Sequence, residues 1–351
     1  MRPRLLRAPR ALLLLVFCAG AILAETALAA SCKTQSQLTV AERDALSSAA
    51  RTMVAEVQSG DTQALRTNTI PAVAADFSGI ADSANSLKPL VQQAAITVDS
   101  LFALDATAES QGAARTDFYC GSPVVVLNFT DLPPGMYALA ILHATGVPQP
   151  QEIALILSGT AEHRWMLGGF FSKPMMEASH DGLWYWVSAR KYAQSNMAWD
   201  AWFYYRMAAN ILNPVEFLSS PNLEKLKNEE DRVHPVGLPD AEPLMIDAHG
   251  SVFRVTSIDT TTALGALDLE VHYTPDNTET NDLHNPPTAR KQVTELMTAL
   301  LAMHPELNDA FHGFWVHADQ GSASLFSLEL PMNQIVQGTQ SPVIRPISVT
   351  P

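Results

Sequence analysis

Apolar positions change period along this chain. Between residues 39 and 95 they recur at helical spacing, with Leu46, Ala50, Met53, Val54 and Val57 on one face. Thr39 and Glu42 have the spacing of a capping box, and Gly60 stands where a helix terminator belongs. Asp61 predicts the cap of a second helix reaching Leu65, and residues 71–95 read as further short helical pieces. From Ile96 the period falls to two, with Ile96, Val98, Phe102 and Leu104 alternating with more polar neighbours. Strands are expected near 116–120, 123–129, 136–144, 152–158 and 164–171, with Leu132-Pro133-Pro134-Gly135 as a turn.

Helical spacing returns at 182–213. Two antiparallel helices, roughly 182–195 and 198–213, are expected to meet at Ser195-Asn196. Tyr185, Ala189 and Tyr192 would face Ala201, Tyr205 and Ala208, small residues opposite rings letting the axes approach. Four of the six tryptophans and four of the seven tyrosines lie between Trp184 and Tyr205. A short helix from Pro221 ends in the charged run Lys225–Arg232, read as a solvated helix end, and Pro235, Pro239 and Pro243 mark a linker. A β-β-α-β-β order follows. Residues 250–259 and 264–274 form a hairpin, Asn285-Pro286 opens a helix bearing Val293, Leu296, Met297, Leu300 and Leu301, and strands lie near 312–318 and 323–330. Phe253, Val255, Leu267, Leu269, Val271, Phe314, Val316, Phe326 and Leu328 would pack under that helix.

The predicted class is therefore α+β. Its parts are a helices-plus-sheet module (31–172), a helical hairpin region (173–232), a Pro-rich linker (233–246), a second α+β module (247–336) and a tail (337–351). The aromatic hairpin is expected to bind the two modules together. The order of helices and then antiparallel strands over 38–172 resembles the nuclear-transport-factor-2-like layout, a cone enclosing a concavity between helices and sheet. That resemblance implies polar groups at work inside the concavity, and Asp99, Asp105 and His143 lie on the strands that would line it. Ala189, Tyr192, Asn196, Ala201, Tyr205 and Ala208, with Pro214 closing the second helix, resemble a tetratricopeptide unit. Ser188 and Ala198 depart from that pattern, and no second unit follows at the repeat period, so a single docked hairpin is expected.

The N-terminus changes the picture of where the chain lives. Arg2, Arg4, Arg7 and Arg10 precede an apolar run from Ala11 to Ala24, and small residues follow to Ala30, the layout of a secretory signal. That run is too short for a comfortable membrane span, and no later stretch is apolar for longer. Cleavage would remove Cys18 and leave Cys32 and Cys120, which an oxidising compartment joins as one disulfide. Leu28-Ala29-Ala30-Ser31-Cys32 loosely resembles a lipobox, so a lipid anchor on Cys32 is the alternative. Removing residues 1–30 takes away four arginines and one glutamate, leaving 18 basic and 35 acidic residues and a net charge of −17. So acidic a chain without a basic run is a poor nucleic-acid binder. The whole resembles a bacterial exported protein, periplasmic or extracellular.

Familiar catalytic signatures are missing: there is no G-x-S-x-G, H-E-x-x-H, C-x-x-C, Walker loop or G-x-G-x-x-G, and no cofactor is called for. Asp268, Glu270 and His272 form the best metal-like set, because alternation puts all three on one face of a strand. Neighbouring strands bring Arg254, His317 and Glu329 towards the same surface. From sequence the preferred reading of this face is the wet side of a half-covered sheet, with Arg254 pairing an acid across the hairpin. A second candidate, for ligand binding, is the hairpin itself, through Trp184, Trp186, Arg190, Trp199, Asp200, Trp202 and Tyr204. His180-Asp181, Arg190, Asp200 and Arg206 are expected to be paired, since so aromatic a hairpin leaves little water for charges. Asn128-Phe129-Thr130 matches a glycosylation acceptor, and His163, His234, His249, His284, His304 and His312 show no usable spacing. The expected function is non-catalytic binding of an envelope protein or cell-wall ligand. The rivals are an enzyme using the cone or the Asp268/Glu270/His272 face, and a mainly structural export product.

Overall fold

The computed structural model describes residues 30–162, 164–248, 250–275 and 283–339. The expected signal with Cys18, His163, His249 and residues 340–351 lie outside these. The first module opens with β1 (Ser31–Thr34), followed by α1 (Val40–Ser59), α2 (Thr62–Thr67), α3 (Pro71–Ala74) and α4 (Ser78–Val91). All three expected helix ends form: Thr39 and Glu42 make a reciprocal capping box, Gly60 takes the left-handed conformation (φ 77°), and Asp61 caps α2. Strands β2 (Ala95–Asp105), β3 (Thr116–Cys120), β4 (Val125–Phe129), β5 (Met136–Thr145), β6 (Gln151–Gly159) and β7 (Trp165–Pro174) follow.

These strands do not make one sheet. β1-β2-β5-β6-β7 form an antiparallel sheet, while β3 and β4 leave it and pair with β10 (Leu218–Ser219) in a second. Helices α1 and α4 cover one face of the larger sheet, and Leu46, Val54, Leu87, Leu142 and Leu155 fill the interface. Leu104, Leu139, Ile141 and Ala154 on the other face pack against Phe118 and Leu127 of the smaller sheet. The three polar candidates are not enclosed between helices and sheet. Asp99 is exposed, Asp105 accepts hydrogen bonds from Thr107, and the His143 ring lies 3.4 Å from Glu152. Cys32 and Cys120 are joined in a disulfide that fastens β1 to β3 across 88 residues of chain. Closing so long a loop is worth about 4–5 kcal/mol in the chain-entropy account. A sulfur held this way cannot carry a lipid, so the anchor alternative at Cys32 does not apply to the bonded state.

The link to the hairpin runs through β8 (Met176–Glu177) and β9 (His180–Asp181), paired with each other. Helices α5 (Gly182–Gln194) and α6 (Ala198–Leu212) are antiparallel, and Asn196 (φ 60°) turns the chain between them. The Asp181 carboxylate accepts from the Trp184 N–H at 2.7 Å and so caps α5. Gly182 admits the end of α6, since a Cβ there would lie 2.6 Å from Leu212 Cγ. Helix α6 is buried nearly all round, from Trp199 through Tyr205. Its rings share a single core with the C-terminal module, and that core includes none of the first module's residues. The hairpin is thus part of the second module, rather than an even bond between two.

Its tie to the first module is local: Val215 and Leu218, just after α6, are buried with Phe118 and Leu127, and polar contacts reach the helix end itself. Lys173 at the end of β7 donates to the carbonyls of Asn210, Ile211 and Asn213, three of the last free acceptors of α6. β10 then pairs with β4. Helix α7 (Pro221–Arg232), capped by Ser220, is not simply a solvated end. Its Glu229 accepts from Trp186 Nε1 at 2.8 Å and from both Arg190 Nε and its terminal nitrogen, at 2.7 and 3.0 Å.

The C-terminal sheet runs β11 (Leu244–Ala248), β12 (Ser251–Thr261), β13 (Asp268–Thr274), β14 (Gly313–Gln320), β15 (Ala323–Pro331) in spatial order. β11 begins inside the expected linker, where Leu244 and Ile246 continue the apolar alternation of the sheet. Between β13 and β14 the chain crosses over through α8 (Pro286–Met303) and the short α9 (Leu307–Ala310), and those two strands pair in parallel. α10 (Met332–Thr339) carries helix into the expected tail. No helix among the described residues is long and apolar enough to cross a membrane.

Trp186 is buried and hydrogen-bonded, whereas Trp184 is 41% exposed. Trp186→Ala should therefore cost about 3–5 kcal/mol in urea unfolding and Trp184→Ala clearly less. A neutral Trp186→Ala would contradict the shared core.

Candidate metal centre on the C-terminal sheet

Alternation along β13 sends Leu269, Val271 and Tyr273 into the core and Asp268, Glu270 and His272 to the opposite face. The parallel register then adds a second set. His272 lies beside His317 and Glu270 beside Trp315, and β15 places Ser327 and Glu329 on the far side of the same two rows. The His272 and His317 rings stack with centroids 4.7 Å apart.

Each of these two rings is held by its Nδ1. His272 Nδ1 is 2.6 Å from Asp319 Oδ2, and His317 Nδ1 is 2.8 Å from Ser327 Oγ. Both Nε2 atoms consequently turn towards one carboxylate. Glu270 Oε1 is 3.7 Å from His272 Nε2 and 3.2 Å from His317 Nε2. His317 Nε2 is buried and has no hydrogen-bond partner, so proximity to Glu270 does not satisfy it. Burial, and after it the neighbouring His272, holds the His317 ring below its usual pKa, which favours the neutral imidazole.

A tetrahedral ion with bonds of about 2.0–2.1 Å separates its ligands by roughly 3.3–3.4 Å. The two observed separations straddle that edge length. One donor atom from each of Glu270, His272 and His317 lies within 4.8 Å of the others. Ring nitrogens fixed by a carboxylate and a hydroxyl are the outer contacts that orient imidazoles for a metal.

Asp268 does not belong to this group. It lies one row down, where its Oδ1 is 2.8 Å from His312 Nδ1, with Glu329 Oε1 3.7 Å from the same nitrogen. The set read from one strand is therefore divided between two clusters, each completed by residues far away in sequence. Arg254 does not pair an acid here: its partner across the hairpin is Thr274, four residues along β13 from Glu270, which lies opposite Asp259. The acids are met by histidines instead. His312, His317 and Asp319 enter only through the β13–β14 pairing. No spacing along the chain announces it.

His312 also lines a cavity of about 350 Å³ where the hairpin meets the β12–β13 turn, together with His180, Trp184, Tyr185, Tyr204 and Leu267. Trp184 stacks on His180 with ring centroids 3.6 Å apart and planes nearly parallel, and is the one tryptophan of the expected ligand set that stays open. Trp186, Trp199, Trp202 and Tyr204 are core residues in this fold, and the Tyr204 hydroxyl donates to the Ala310 carbonyl at 2.7 Å. Arg190 and Arg206 are paired as expected, with Glu229 and Asp259, and each lies over a tryptophan ring.

Asp200 breaks the pairing expectation. It is fully buried, neither carboxylate oxygen has a partner, and burial together with Glu306 and Asp309 raises its pKa to about 7. No protein-family model, curated protein or solved structure matches this chain.

Between the unfolded value near 4 and the folded value of about 7, the folded carboxyl keeps a proton that the unfolded one has lost. Stability should therefore fall as pH rises across that window and level off above it, by at most roughly 4 kcal/mol. Urea midpoints measured from pH 4 to pH 8 should show this decline, and Asp200→Asn should flatten it. A variant with the same slope as the parent would contradict the assignment.

Proposed function

We propose that this is an exported binding protein whose C-terminal sheet holds a divalent transition-metal ion of the zinc class through Glu270, His272 and His317. The observation that carries the reading is the convergence of two Nε2 atoms on one carboxylate oxygen, with both rings fixed through Nδ1. Two imidazoles and a carboxylate are borderline-to-hard donors, which suit zinc better than copper(I) or calcium. The site is half covered: the side chains of Glu270, His272 and His317 are 30, 32 and 9% exposed. An ion there would be reachable from solvent yet shielded on the His317 side. Export is supported by the disulfide and by the signal-like sequence of residues 1–30.

The ligand count supports a second reading. Three protein ligands leave a coordination position for a water or for a partner's side chain, as catalytic zinc sites do. The first reading needs only a partner that supplies the last ligand. The second needs, in addition, a substrate held beside the ion.

Zinc content of protein purified without chelator decides whether the site exists. His272→Ala with His317→Ala should lose at least one equivalent relative to the parent while the far-ultraviolet spectrum is retained. Equal zinc in parent and variant would sink the proposal and return this face to a solvated sheet surface.

A further inference from the structure

The second cluster on the same face, one row towards the hairpin, is not explained by the first. Asp268 is buried, its side chain 1% exposed, yet Asp268 Oδ2 has no hydrogen-bond partner. Glu329 Oε1 is likewise buried and unpartnered. Both carboxylates converge on His312 Nδ1, at 2.8 and 3.7 Å. One ring nitrogen carries at most one proton, too few for both carboxylates, and Asp268 Oδ2 and Glu329 Oε1 are left without a donor. Leaving buried carboxylate oxygens unmet is costly, and a cation is the group that meets several at once.

The backbone is shaped to keep this space. Gly313 passes so close to β15 that a Cβ would sit 2.4 Å from the Leu330 carbonyl and 3.1 Å from Glu329 Oε1. Any side chain at 313 would push into the Glu329 carboxylate. His312 is half exposed, lines the cavity beneath Trp184 and touches the buried Asp268, so one side chain borders both.

We infer that Asp268, His312 and Glu329 form a second divalent-cation site, distinct from Glu270/His272/His317 and bordering the cavity under Trp184. Two carboxylates and one imidazole make a harder donor set than two imidazoles and one carboxylate. Manganese(II) and zinc(II) suit it, and copper(I) does not. The inference rests on the unsatisfied oxygens of Asp268 and Glu329, so it stands or falls separately from the first site. Its consequence is a face that carries two ions in adjacent rows, separated by roughly 7 Å along β13.

Manganese(II) titration of the full mature chain, read by electron paramagnetic resonance, tests this with three variants. His272→Ala/His317→Ala, which removes the first site, should keep one equivalent. Adding Glu329→Gln to that variant should weaken the remaining equivalent by about 100-fold or more. Asp268→Asn, close in shape, should do the same, which guards against a fold defect peculiar to one substitution. The inference is overturned if the double variant binds no manganese with its far-ultraviolet spectrum intact, or if binding survives both Glu329→Gln and Asp268→Asn. A parent that binds one equivalent, retained in the double variant, would leave the second site standing, with zinc content alone deciding the first.

Discussion

Everything proposed for this protein depends on β13 and β14 lying side by side in parallel. Two neighbouring strands can run the same way only if the chain crosses over between them, and α8 provides that crossing with Val293, Leu296, Met297 and Leu300 buried on the sheet. The crossing fixes the register, and the register sets His272 beside His317. An antiparallel return or a slip of one residue would turn His317 towards the core and leave Glu270 with a single imidazole. The same pairing brings His312 to Asp268, because His312 immediately precedes β14 and its N–H donates to the Leu267 carbonyl. One constraint therefore builds both clusters.

The aromatic hairpin serves this arrangement from the side. Its rings fill the core shared with the C-terminal sheet, so the β12–β13 turn, Ala310 and His312 rest against a fixed wall. The first module contributes little to that wall. It reaches the hairpin through Lys173, which fastens to the carbonyl end of α6, and through the short β10–β4 pairing. Asp200 is the point of tension in this core, an acid kept among rings by the helix around it and freed of its charge only when protonated.

Much of the architecture was legible in residues. Thr39, Glu42, Gly60 and Asp61 are local signals that act within one turn, and all four do what their chemistry predicts. The period-two stretches gave strands, but not their partners, since β3 and β4 alternate like any strand while pairing elsewhere. The hairpin's true allegiance had a readable sign: Trp199 through Tyr205 is apolar on almost every side, and a helix of that kind is buried all round. For the site, alternation on β13 found Glu270 and His272 and named His317 and Glu329 as neighbours. It also grouped Asp268 with them, because a single strand shows which residues share a face and not which share a row. His312, Asp319 and Ser327 stayed hidden for the same reason. Arg254 falls opposite Thr274, beyond the acids of β13, a register that no pattern in the sequence marks.

The most direct measurement is X-ray absorption at the zinc edge of the zinc-loaded Glu329→Gln protein, in which the first cluster alone is intact. The account predicts two imidazole nitrogens and a low number of oxygens at about 2.0–2.1 Å. A shell of oxygen alone, or one containing a single imidazole, would show that the two rings do not close on a common ion.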